Sequence, residues 1–140
     1  MDDRTKELLV RGVVVLGLAV DAVIHLGVAP AMELAAPDGL GGGFLFRAQA
    51  TVAGLVAVLL LVTGRRWAYV LAGLVALSAL GPVLLYHFVD VPAIGPTPSM
   101  YDPLWSPEKV ISIVGEALAL AFAVVGVRLT SRRAADTVRA

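Results

Sequence analysis

The sequence predicts an all-α integral membrane protein: four transmembrane helices in an antiparallel bundle. Three observations carry that expectation. The 140 residues are 59% hydrophobic and only 16% charged, and the mean hydropathy is +0.87, values too apolar for an ordinary soluble domain. The charges do not line one face of amphipathic helices; they are swept out of four long apolar runs and gather between them. Each run comes close to or exceeds the ~20 residues that cross the hydrocarbon core.

One membrane domain over residues 1–140 follows, with approximate spans at 12–32, 44–63, 67–88 and 108–127. Net charge is zero and the pI about 6.7, so no basic surface argues for nucleic acid. Cysteine is absent, which removes disulfides, Cys-x-x-Cys redox relays and thiolate metal sites from the chemistry available.

The first run, Gly12 to Met32, follows a mixed-charge start (Asp2, Asp3, Arg4, Lys6, Glu7, Arg11). It is longer than the ~7–15-residue core of a signal peptide, and Asp21 interrupts it, so it reads as a retained span. Pro30, Pro37, Gly39 and Gly41 to Gly43 predict a break and a loop between Met32 and Phe44. The second run carries Arg47, Gln49 and Thr51 near its beginning and only apolar residues through most of its remainder. Gly64 offers a helix C-cap and Arg65-Arg66 a tight turn, which sends the third helix back beside the second. Pro82 lacks the amide that would bond the Ser78 carbonyl and predicts a kink in the outer half of the third helix.

Residues 89–107 are Pro-rich and aromatic, too broken for a helix and too apolar for a solvated linker. They predict a structured loop over the bundle mouth, with Tyr101 and Trp105 at headgroup level. Ser106-Pro107-Glu108 supplies an N-cap, an N1 proline and a first-turn acid for the fourth helix. Basic residues cluster at the N-terminus, at Arg65-Arg66 and in the tail (Arg128, Arg132, Arg133, Arg139), while the other two connections lean acidic. The positive-inside rule then puts both termini in the cytoplasm and the chain in the cell membrane as a multi-pass protein.

The polar residues inside the spans are the functional candidates, because an ionisable group within the bilayer normally faces protein or water. Asp21 and His25 are four apart and share a helix face. At ~1.5 Å per residue from Gly12, Asp21 falls near mid-membrane and His25 about 6 Å farther out; counted from Pro107, Glu116 comes level with them at about 13 Å. Lys109, Ser112 and Glu116 form one stripe of the fourth helix. Arg47 is the expected counter-charge, and Gln49, two residues on, points to nearly the opposite side. His87, Asp90, Tyr101 and Trp105 make an outer rim. The inner half is expected to hold almost nothing polar.

Such a cluster has a plain reading as interhelical glue, at around 0.6 kcal/mol per hydrogen bond. It also has the makings of a ligand pocket under the aromatic loop. As a narrower metal site, Asp21, His25 and Glu116 offer N and O ligands, with His87-x2-Asp90 as a looser addition. A bis-histidine haem is disfavoured because His87 lies well outside the level of His25. No catalytic triad, phosphate-binding loop or H-E-x-x-H sequence is present.

Four groups of residues carry a resemblance: His25-Leu26 ending the first helix, Phe44-Leu45-Phe46-Arg47-x-Gln49 opening the second, Gly95-Pro96-x-Pro98-x-Met100-Tyr101-Asp102-Pro103-x-Trp105 in the loop, and Lys109 with Glu116. Together they resemble uncharacterised four-helix membrane proteins of actinobacteria. More distantly the layout is similar to the DoxX-like group, where the first helix often ends in a small residue followed by lysine and this chain has Ala22-x-x-His25. That resemblance implies a membrane partner of quinone or thiol oxidation systems.

The leading expectation is a small-ligand-binding protein or accessory subunit in the bilayer, working as a homodimer or beside a partner membrane protein. The alternatives are a membrane redox component or metal- or quinone-binding enzyme, and a proton-coupled transporter built as a dimer. Neither the cofactor nor any enzymatic activity is specified by the sequence.

Overall fold

In the computed structural model the described residues are 1–139, with side chains described through Arg132 and at Ala135. Arg133 and Arg139, which contribute to the orientation argument, have side chains outside the described residues. Four helices follow in order: α1 (Asp3–Ala35), α2 (Gly42–Thr63), α3 (Arg66–Phe88) and α4 (Pro107–Arg139). All four contain windows long and apolar enough to cross a membrane. At ~1.5 Å per residue, α2 and α3 match the ~30 Å hydrocarbon core, whereas α1 and α4 exceed it.

The helices form a bundle in which α1 packs on α2 and α4, and α3 packs on α4 and α2; among the described residues α1 and α3 also meet across the middle while α2 and α4 do not. The interior is built from small residues. Ala68, Ala72, Ala76 and Ala79 line one stripe of α3, Ala53 and Ala57 one of α2, and Ala119 and Ala123 one of α4. Large aliphatic side chains such as Leu16, Val23, Leu55, Leu61 and Leu74 point outward. This is the distribution expected where lipid, not water, surrounds the helices and close backbone approach replaces hydrophobic burial as the source of association.

Helices α1 and α4 approach closely at Gly17. A Cβ at Gly17 would collide with the Gly115 carbonyl, and it would come 2.9 Å from the Ala119 methyl group.

Two boundaries differ from the sequence expectation. Helix α1 does not end at Met32 but runs on, through Pro30, to Ala35. Proline there forfeits one hydrogen bond, to the Leu26 carbonyl, and neighbouring helices commonly hold such a segment in membranes. Gly42 and Gly43, expected in the loop, instead form the first turn of α2, where they let its backbone press against Met32, Ala29 and Glu33 of α1. The connection shrinks to Ala36–Gly41. Gly64 caps α2 in the left-handed conformation (φ 55°), with its amide donating to the Leu60 carbonyl at 2.9 Å.

The inner end holds a polar group that the sequence reading left outside the span. Glu7 is 2% exposed. Its carboxylate accepts from Arg11 Nε at 2.9 Å and from the Tyr69 hydroxyl at 2.7 Å. The Arg11 guanidinium also fills the space over Gly64 that a side chain would occupy. This network ties α1 to α3 and to the α2–α3 turn.

Gly17→Ala is expected to destabilise the bundle by about 1–3 kcal/mol despite its better helix propensity, because the added methyl overpacks a backbone contact. Gly12→Ala meets nothing within 4 Å and is expected to be neutral or stabilising by up to about 1 kcal/mol. Unfolding in mixed micelles by titration with SDS measures both.

Candidate functional site

Asp21 is the centre of the outer-half cluster and is fully buried. Its Oδ2 accepts from Gln49 Nε2 at 2.9 Å. Its Oδ1 lies 2.6 Å from His25 Nδ1, but the imidazole nitrogen is aligned with the Asp21 main-chain carbonyl at 3.0 Å. Oδ1 therefore has a close ionic contact and no aligned hydrogen bond. The i, i+4 spacing brings the two side chains together on one face of α1.

Gln49 is itself fixed. Its amide also donates to the Val75 carbonyl at 3.3 Å, and its Oε1 accepts from the Ser78 hydroxyl at 3.1 Å. One neutral side chain from α2 thus links α1 to α3 through the buried carboxylate.

Glu116, also fully buried, enters from α4. Its Oε1 accepts from the hydroxyl of Ser112, one helical turn earlier, while its Oε2 has no hydrogen-bond partner. One ligand-type atom from each of Asp21, His25 and Glu116 lies within 4.8 Å of the others. The structure therefore brings together Asp21, His25, Gln49, Ser112 and Glu116.

Arg47 and Lys109 are not in this group. Arg47 turns outward to Glu33 at 2.6 Å, in a pair about half exposed on both sides. It starts two residues before Gln49, so the helix that aims Gln49 inward aims Arg47 away. Lys109 is drawn into the loop: its ammonium group donates to the carbonyls of Asp102 and Leu104 at 2.6 and 2.7 Å and sits 2.7 Å from the Asp102 carboxylate. Burial by itself would raise the Asp102 carboxyl, yet the hydrogen bonds from Lys109 and from the Leu104 amide outweigh it and hold it below the usual range.

The loop between α3 and α4 is ordered by its own contacts. Ile94 and Thr97 pair through their backbones around Gly95 (φ 57°), and the Asp102 amide donates to the Tyr86 carbonyl at 3.1 Å. The first connection is stitched to it, the Leu40 amide donating to the Pro96 carbonyl at 2.7 Å. Gly39 (φ 61°) is required there, since a side chain would collide with the Pro96 backbone. Ser106 caps α4, accepting from the Lys109 amide at 3.2 Å.

Among the rim residues, His87 is buried with its ring 4.0 Å from that of Trp105, centre to centre. Tyr101, Trp105 and Asp90 are exposed. The Nδ1 of His87 has no hydrogen-bond partner. A cavity of about 480 Å³ lies beneath the loop, with walls from all four helices. His25, Gln49, Ser78, His87, Lys109 and Ser112 reach its surface among mostly apolar neighbours.

Sequence reasoning did not single out Ser78 or Tyr86. Ser78 lies one turn before Pro82, a spacing that marks it only as the source of a freed carbonyl. Tyr86 contributes a backbone carbonyl, which side-chain chemistry cannot flag.

Comparison of the chain with protein families, with curated proteins and with solved structures finds no match. The class rests on the molecule itself: four long apolar helices, small residues inside and large aliphatic ones outside define an integral, multi-pass membrane protein.

Replacing Gln49 by leucine keeps the volume and strips Asp21 Oδ2 of its donor. The expected loss is about 1–3 kcal/mol, the penalty for stranding a buried acceptor, and so above the ~0.6 kcal/mol average of membrane hydrogen bonds. Thr51→Val, which removes only a bond to the Arg47 carbonyl of the same helix, should change stability by under about 0.5 kcal/mol. The same micelle titration separates the two.

Proposed function

We propose that this protein binds a small lipid-soluble ligand in the cavity beneath its outer loop, and serves as a ligand-binding or accessory subunit in the cell membrane. The observation that carries the reading is the cavity itself. Its volume of about 480 Å³ falls within the range of ~300–1,000 Å³ typical of small-molecule sites. Its walls are mostly apolar, with a few polar groups on opposite sides. His25 and Gln49 edge it at depth, and His87, with an unpartnered ring nitrogen, edges it nearer the loop. A ligand suited to this lining has a flat or branched apolar body and one or two hydrogen-bonding groups, as quinones do. The resemblance to DoxX-like membrane partners of oxidation systems agrees with that chemistry. The accessory role is beside a second copy or another membrane protein.

The test is to extract the protein, purified in mild detergent or nanodiscs, with organic solvent and to identify the compounds by mass spectrometry. A near-stoichiometric lipid-soluble compound is expected from the wild type. Val28→Trp, which fills the cavity from α1, should lose it while the protein keeps its helical circular dichroism. Equal recovery from both proteins, or no compound from either, counts against the reading.

Both termini are proposed to be cytoplasmic. Asp38 and Ser99 lie in the two stitched connections and are exposed, and the absence of native cysteine makes introduced cysteines there clean reporters. Both are expected to react with an impermeant maleimide added outside intact cells; reaction only after the cells are opened would reverse the orientation.

A further inference from the structure

We propose that Asp21, His25 and Glu116 form a binding site for one divalent transition-metal cation of the zinc, manganese or iron class, open on one side to the cavity. This goes beyond the binding of a lipid-soluble ligand and does not depend on it.

The argument begins with charge. Two carboxylates, both fully buried, face each other from α1 and α4. The cations at the outer side of the bundle are committed elsewhere, Arg47 to Glu33 and Lys109 to Asp102. Among the described residues only His25 stands beside the pair, so a fixed counter-charge for two anions is missing. Burying such a pair in a low-dielectric interior is costly unless positive charge joins it.

The hydrogen bonds then say where that charge belongs. Each carboxylate has one oxygen held by a neutral donor: Gln49 on Asp21 Oδ2 and Ser112 on Glu116 Oε1. The remaining oxygens, Asp21 Oδ1 and Glu116 Oε2, are buried without aligned hydrogen bonds, and Oδ1 has the His25 imidazole, the third candidate ligand, 2.6 Å away. Metal-ligating carboxylates are arranged in this manner, with one oxygen oriented by an outer partner and the other left for the cation. Gln49 is anchored in turn by Ser78 and the Val75 carbonyl, so the orientation of Asp21 does not rely on a free side chain.

The imidazole distinguishes a metal from a proton. A single proton shared between two carboxylates needs no nitrogen ligand, whereas a mixed set of one imidazole and two carboxylates suits zinc, manganese and iron. The three ligand-type atoms lie within 4.8 Å of one another. Ligands at ~2.0–2.2 Å from a tetrahedral ion stand roughly 3.4 Å apart. Binding therefore requires Glu116 to close toward the other two ligands and the His25–Asp21 pair, now 2.6 Å apart, to open around the ion. His25 and Ser112 both reach the cavity surface, so the cavity is the side from which a cation would approach the cluster. A proton bound to the cluster leaves for solvent when the cation enters, so affinity should increase with pH.

The experiment uses the purified protein in nanodiscs, stripped with chelator and dialysed. Zinc binding is measured by calorimetry, and cobalt(II) serves as the optical probe. One Zn²⁺ per chain is expected, with cobalt bands of the intensity of a four- or five-coordinate nitrogen and oxygen site. Glu116→Gln and Asp21→Asn conserve shape and should weaken binding by more than the roughly 10–100-fold that loss of an outer partner produces. Ser112→Ala should fall within that 10–100-fold range, and Glu33→Gln, outside the cluster, should bind like the wild type. No stoichiometric zinc binding by the wild type would overturn the proposal and leave a proton-sharing carboxyl pair. Binding unchanged in Glu116→Gln and Asp21→Asn, or cobalt bands as weak as those of the hydrated ion, would overturn it as well. The wild-type stoichiometry and spectrum decide the matter even where a variant does not fold.

Discussion

The structure depends most on the burial of the Asp21 carboxylate among four helices. A charge in that position has no water to turn to, so the surrounding side chains are arranged to meet it. His25 comes from the same helix, Gln49 from α2 and Glu116 from α4, while Ser78 of α3 holds Gln49 in place. Every helix thus contributes at least one side chain to a single network. Apolar packing in lipid discriminates poorly among helix registers, since lipid tails are as apolar as leucine. A polar network of this kind supplies register, because sliding any helix by one residue would strand a buried donor or acceptor.

Small residues make the network reachable. Gln49 and Glu116 can approach Asp21 only because the backbones come close, and glycine and alanine at the contacts allow that. The Gly17–Gly115 contact lies beside Glu116 on α4 and one turn before Asp21 on α1, and it draws the two helices together next to the cluster. Gly42 and Gly43 do the same for α1 and α2 at the outer end. A second polar network, Glu7 with Arg11 and Tyr69, closes the inner end. It differs from the outer one in being complete, since the carboxylate has its guanidinium. The outer cluster has no such partner among the described residues, and this asymmetry distinguishes a structural clamp from a candidate site.

The outer loop completes the arrangement by removing lysine from it. Lys109 lies on the same helical stripe as Ser112 and Glu116, and a free ammonium group there would be the natural counter-ion. Two backbone carbonyls and the Asp102 carboxylate hold it at the mouth instead. The loop therefore does more than cover the cavity: it keeps the ammonium group at the rim and leaves His25 as the one basic side chain beside the buried carboxylates among the described residues.

The sequence by itself determined the class and the number of helices. Those properties follow from hydropathy, breaker residues and the fixed rise of a helix, all of which are local. It also placed Glu116 level with Asp21 and His25, because depth along a helix is counted in residues. What it could not determine was azimuth between helices. Arg47 looked like the counter-charge because it has the right sign and lies in the outer half, but rotation of α2 gives that place to Gln49 and sends Arg47 to Glu33. Gly42-Gly43 look like loop residues in isolation, yet in the bundle they form the first turn of α2 where it presses on α1. Glu7 reads as one of several charges in a polar leader until Tyr69, sixty-two positions away, is brought against it. Contacts between distant segments are set by how the helices rotate and pack, and that is a property of the assembled bundle and not of any one stretch.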